Sequence, residues 1–124
     1  MTTRAERLGV TAGLVWMLGD SDEENALLDP LPIGVETITD RDEADHRPIS
    51  AAVVVIAGAD SMGPELDEAL PHLGSIPQVW VALPSHDRGL TRDVVSTAVN
   101  DYGWTTTDAV ALGHNWIALH IEPA

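Results

Sequence analysis

Ala51-Ala52-Val53-Val54-Val55-Ile56-Ala57 contains no polar side chain, and its centre, Val53 to Ile56, is entirely β-branched. An apolar run without alternation fits a strand buried on both faces, as the central strands of a parallel sheet clothed by helices are. Upstream, Leu14-Val15-Trp16-Met17-Leu18, ended by Gly19, reads the same way. Val35 to Thr39, bounded by Gly34 and Asp40, alternates and predicts a less buried strand. Gln78 to Leu83 predicts a fourth.

Helix signals fall between these strands. Ser21 and Glu24 have capping-box spacing ahead of Ala26, Leu27 and Leu28, which predicts a brief helix stopped near Pro30. Arg41 to Pro48 reads as a polar loop. Gly63-Pro64 opens a helix with Leu66, Ala69, Leu70 and Leu73 at i, i+3, i+4 and i+7, which Pro71 should kink or end. Thr91 caps another, with Val94, Val95, Ala98, Val99 and Tyr102 as one stripe and Gly103 as its stop. Trp104 to Leu112 and Trp116 to Ile121, separated by Gly113-His114-Asn115, predict an antiparallel hairpin. The expected fold class is α/β, a single open, mostly parallel twisted sheet with helices on its faces and a C-terminal antiparallel hairpin. Residues 1–124 form one domain, with 1–7 flexible.

Composition narrows the function. The chain has 124 residues, with Lys+Arg 6 against Asp+Glu 20 and a formal net charge of -14. All six cations are arginines, dispersed among carboxylates, so the counterion release that drives nucleic-acid binding has no footprint here. Anionic membrane surfaces are disfavoured for the same reason. With no cysteine, thiolate catalysis, disulfides and Cys-type zinc sites are excluded. The start of the chain lacks a signal-peptide core and the longest apolar run is short of a membrane helix, so the expected location is cytoplasmic.

A family resemblance follows from Val79-Trp80-Val81-Ala82-Leu83-Pro84, then Leu90-Thr91-Arg92-Asp93-Val94-Val95, then Trp116-Ile117-Ala118-Leu119. This succession resembles the W-V-x-x-P, L-T-R-D-V-V and W-x-A-L marks of a family of short bacterial proteins of unknown function, over nearly the whole chain. An N-terminal mark is partly matched at Leu8-Gly9, Gly13 and Leu18-Gly19; the loop from Ser85 to Gly89 is shorter and lacks the family's lysines. The resemblance implies a pared-down fold similar to class I methyltransferases, and no activity.

Candidate sites lie where open α/β sheets place ligands, at the carboxyl ends of strands. Gly19 is the one glycine of the turn after the first strand, Asp40 stands where a ribose-binding acid would, and Asp60 follows the central strand. These three would hold an adenosyl-type cofactor such as S-adenosylmethionine. Against that, Asp20, Asp22 and Glu23 would repel a pyrophosphate, whereas as helix caps they meet the positive end of a dipole. Asp60-Ser61 is equally a helix start. Ser85-His86-Asp87 has triad residue types, but consecutive residues rarely converge on one atom, so no catalytic residue is assigned. The five histidines lack ligand spacing and the acidic run from Asp42 to His46 reads as a solvated loop, so no metal is expected. Trp104, Trp116 and Ile117 are interface candidates, since the hairpin is apolar on both faces and a second copy would cover one. The expected function is a non-enzymatic, protein-binding or regulatory role, through an unknown protein partner or a homodimer, with no cofactor; the alternative is an enzyme or sensor that binds an adenosyl ligand.

Overall fold

A computed structural model of the chain describes residues 4–10, 12–19, 27–28, 31, 33–56, 58–85, 89–112 and 115–124. Six strands form one sheet: β1 (Gly13–Leu18), β2 (Val35–Ile38), β3 (Ala51–Val55), β4 (Gln78–Pro84), β5 (Trp104–Ala111) and β6 (Trp116–Pro123). Their order is β2-β1-β3-β4-β6-β5. The first four are parallel, and the β5–β6 hairpin adds to β4 in antiparallel fashion through β6. The expected α/β sheet with its terminal hairpin is therefore present.

The central position of β3 follows from its chemistry. All five residues are buried, and side chains alternate between two cores. Ala52, Val54 and Ile56 join Trp16, Ile38, Leu66 and Val95 on one face; Ala51, Val53 and Val55 join Val15, Met17, Trp80 and Ala118 on the other. Helices α2 (Arg41–His46), α3 (Ala59–Ala69) and α4 (Arg92–Asp101) supply residues to the first core, which is the larger. Helix α1 (Arg4–Arg7) buries Ala5 in the second, with Leu27 and Leu28. Residues 4–7, within the stretch expected to be flexible, are also tied down by Arg4 Nη1 bonding to the Leu27 carbonyl at 2.7 Å.

Three local readings need correction. The stretch from Arg41 to Pro48 is no loop: α2 occupies most of it, because Asp40 caps it and Ala44 enters the core. Helix α3 starts at Ala59, five positions before Pro64, so the proline sits inside it. A helix can absorb that loss because the Asp60 carboxylate in the first turn favours the dipole and Leu66 and Ala69 are buried. The α4 stripe is narrower than expected: Val95 and Val99 are buried, whereas Val94 and Tyr102 are each 39% exposed. By contrast, Leu66, Ala69, Leu70 and Leu73 are all buried, and Pro71 converts the end of α3 to a 3-10 turn at Leu70–His72. The helix expected from Ser21 and Glu24 lies outside the described residues.

Gly13 and Gly103 are fixed by geometry. Gly13 has φ +102 and a Cβ there would collide with the Ser50 hydroxyl; Gly103, φ +84, turns the chain from α4 into β5.

Candidate functional site

Chain connectivity locates the site. From β1 the chain steps to β2 on one side, then returns past β1 to β3 and continues to β4 on the other. The reversal leaves a crevice outside the carboxyl ends of β1 and β3, where open α/β sheets bind ligands. A cavity of about 360 Å³ lies at this end of β1 and β2, bounded by Leu18, Gly19, Thr39, Arg41 and the α3 residues Glu65 and Glu68. Its size is within the ordinary range for small-molecule pockets.

Each predicted residue can now be placed. Gly19 follows β1 directly and lines the cavity. Asp40 sits between two lining residues, Thr39 and Arg41, without lining it. Its Oδ1 accepts hydrogen bonds from the Asp42 and Glu43 amides at 2.8 and 3.4 Å, as the N-cap of α2. Asp60 is an exposed residue in the first turn of α3. So the three stand at the ends of three adjacent strands, but only Gly19 faces the cavity. Asp20, Ser21, Asp22, Glu23, His86, Asp87 and His114 lie outside the described residues.

Arg41, Glu65 and Glu68 line the cavity, and the sequence did not single them out. Arg41 Nη2 bonds to Glu68 Oε1 at 3.0 Å, joining the start of α2 to α3 beside the cavity. The signal was weak because both residues belong to charged stretches that look solvated, and only the fold brings them together. A neighbouring cluster fixes α2 to β2: Arg47 meets Glu43 at 2.7 Å and Glu36 at 3.6 Å. The hydrogen bond to Glu43 holds the Arg47 guanidinium still further above its ordinary pKa. Exposed pairs of this kind add little stability and serve as alignment.

The interface candidates part company. Trp104 is buried in the chain's own first core, whereas Trp116 and Ile117 are half-buried and pack against opposite cores. No group of three metal-ligating side chains occurs among the described residues, and no described helix is long and apolar enough to cross a membrane.

The comparisons match this geometry. No protein-family model matches the sequence, and no curated protein matches it. Solved structures do match in fold. One is Sp1610 of Streptococcus pneumoniae, a candidate tRNA (m1A22) methyltransferase, with a TM-score of 0.54 and 15% identity over 97% of this chain and 56% of that one. A protein of the NADB-Rossmann superfamily from Streptococcus agalactiae also has a TM-score of 0.54, at 10% identity over 100% of this chain and 69% of its own. The ribosomal protein L11 methylase of Lactobacillus delbrueckii subsp. bulgaricus has a TM-score of 0.50 and 20% identity, over 97% and 74%. Sp1610 has also been solved in complex with S-adenosyl-L-methionine. The fold of this protein is therefore a Rossmann-like α/β sheet similar to that of methyltransferases. The chain spans 56% of Sp1610, and at these identities the likeness is one of fold.

Proposed function

We propose that the protein binds an adenosyl ligand, S-adenosylmethionine in preference to NAD or ATP, in the cavity at Gly19. The observation that carries this reading is the cavity itself, which lies at the carboxyl ends of β1 and β2, beside α3, with Gly19 in its lining. The residues fit such a group. Gly19 leaves room for close approach, and Thr39 and Arg41 offer donors for ribose and carboxylate oxygens.

Charge ranks the ligands. S-adenosylmethionine carries a sulfonium and an ammonium against one carboxylate, while NAD and ATP are polyanions. A chain of net charge -14, with Glu65 and Glu68 at the cavity, favours the cation and repels the phosphates. When bound, S-adenosylmethionine supplies an electrophilic methyl group; the proposal is for binding, as an enzyme or as a sensor. It displaces the protein-binding reading, whose motive was the glycine-poor turn, because the cavity exists without that turn being glycine-rich.

Calorimetric titration with S-adenosylmethionine, S-adenosylhomocysteine, NAD and ATP tests it. Micromolar binding of S-adenosylmethionine, at least about tenfold tighter than ATP as opposite ligand charge implies, is the expected result. Absence of binding by all four returns the protein to a purely protein-binding role.

A further inference from the structure

Between Thr39 and Pro48 only Ala44 is buried. Helix α3, by comparison, buries Leu66 and Ala69, and α4 buries Val95 and Val99. A single methyl group gives α2 little hold on the sheet, since hydrophobic hold scales with the apolar area removed from water. Its hydrogen bonds divide into two kinds. Inside the segment, Asp40 caps α2 with its side chain, and its carbonyl accepts from the Ala44 amide at 3.0 Å. His46 Nδ1 lies 2.7 Å from the Asp42 carbonyl oxygen, and Arg47 pairs with Glu43 at 2.7 Å. Outward, among the described residues, the side-chain bonds are two ion pairs: Arg41 to Glu68 on α3, and Arg47 to Glu36 on β2 at 3.6 Å. The segment is bonded well to itself and lightly to the rest, and elements with few buried contacts are the ones that open locally.

The position of α2 gives such opening a consequence. Thr39 and Arg41, at its start, line the Gly19 cavity on one side, and Glu65 and Glu68 line it from α3. The Arg41–Glu68 bond, 3.0 Å long, ties one wall to the other. Both side chains are well exposed, at 46% and 74%, so the bond is weak and screened by salt. Extended backbone at Asp40 and Arg47 gives the helix a joint at each end. We infer that α2 is a lid on the Gly19 cavity, latched to α3 by the Arg41–Glu68 ion pair. With the latch broken, α2 tilts away and the cavity opens; a ligand that bridges α2 and α3 holds it shut. The inference concerns the regulation of the site and rests on the adenosyl reading for the identity of the ligand alone; the lid itself rests on how α2 is bonded.

The chain has no cysteine, so Asp42→Cys on α2 and Asp67→Cys on α3, both exposed positions, place two nitroxide labels without background. Distances between the labels are read by pulsed electron spin resonance in the full chain, at about 0.01 M and about 1 M salt, where the Debye length is about 30 and about 3 Å. At low salt one short-distance population should dominate. High salt, Arg41→Gln or Glu68→Ala should each shift the majority to a longer distance, and Arg41→Glu combined with Glu68→Arg should return it. Saturating S-adenosylmethionine should restore the short population in Glu68→Ala, which keeps Arg41. Circular dichroism establishes that each labelled variant is folded, as the loss of an exposed pair allows; if one is not, the salt series still decides. An identical distribution under all these conditions overturns the lid and leaves the adenosyl reading intact, and so does a salt response that neither folded latch variant reproduces. S-adenosylmethionine that binds by calorimetry yet leaves the long population in Glu68→Ala overturns closure on the ligand. A latch-dependent shift in a chain that binds none of S-adenosylmethionine, S-adenosylhomocysteine, NAD and ATP keeps the lid and overturns the adenosyl reading.

Discussion

Asp40 shows how one residue can satisfy two readings. Its place at the end of the second strand is where a ribose-binding acid stands, and the structure has it capping α2 through Oδ1. Capping is the role seen, and it has a measurable size. Asp40→Ala should lower stability by about 1 kcal/mol, and Asp40→Asn by much less, because asparagine keeps the cap acceptor. Urea unfolding of the two variants checks this; equal destabilisation would show that the negative charge, not the cap bond, is what α2 needs. The Val53 to Ile56 run was legible because strand burial is local, whereas the capping role of Asp40 was not, because the stretch after it reads as a polar loop. Arg41 and Glu68 were not legible either, because their contact joins residues 27 positions apart.

Among the elements, α3 carries an internal contradiction. Pro64 lacks the N–H that would bond to the Asp60 carbonyl, and the helix nevertheless runs from Ala59 to Ala69. The sequence places the start at Gly63-Pro64 because proline is tolerated in a first turn. Tertiary packing overrides that preference: Ile56 is already buried as β3 ends, and the chain must turn at once to bring Leu66 and Ala69 over the sheet. Pro64→Ala should therefore restore one helical hydrogen bond and raise stability by about 1–2 kcal/mol, the relief of an interior proline less the entropy that proline removes from the unfolded chain. A thermal melt measures it, and a lower melting temperature would mean that Pro64 itself is needed where it packs. The hairpin offers the opposite case. Trp104–Ala111 and Trp116–Pro123 lie close to the strands expected, since apolar runs separated by a short polar turn leave few other solutions.

At the scale of the whole molecule, edges and faces decide how copies can meet. The edge strand β5 has an irregular register between Thr106 and Asp108, with Asp108 exposed, and β2 at the other edge is four residues long. Bulges, charges and short strands all discourage edge-to-edge pairing. A homodimer through the hairpin, the assembly proposed from the sequence, must then use a face. Trp104 is already covered by its own chain, and Trp116 and Ile117 point to opposite cores, so a single two-fold contact centres on one of them. Sedimentation equilibrium at tens of micromolar should show a dimer for the wild type, and a monomer for either Trp116→Ala or Ile117→Glu. A monomeric wild type ends the proposal, and dimers in both variants move the contact away from the hairpin.

The sequence by itself determined the class of the fold, because an unbroken apolar strand such as Ala51–Val55 fits only the middle of a covered sheet. It also excluded disulfides and thiolate ligands, since the chain has no cysteine, a fact of composition that no folding can alter. Only the tertiary structure showed where a cavity lies. The segment after β2 and helix α3 enclose the cavity beside β1, and the short α2, invisible in a polar stretch, brings Arg41 to Glu68. The physical reason is range. Strand burial and helix caps are set by residues a few positions apart, whereas a cavity is the space left over when elements distant in sequence pack, and no local pattern records that space.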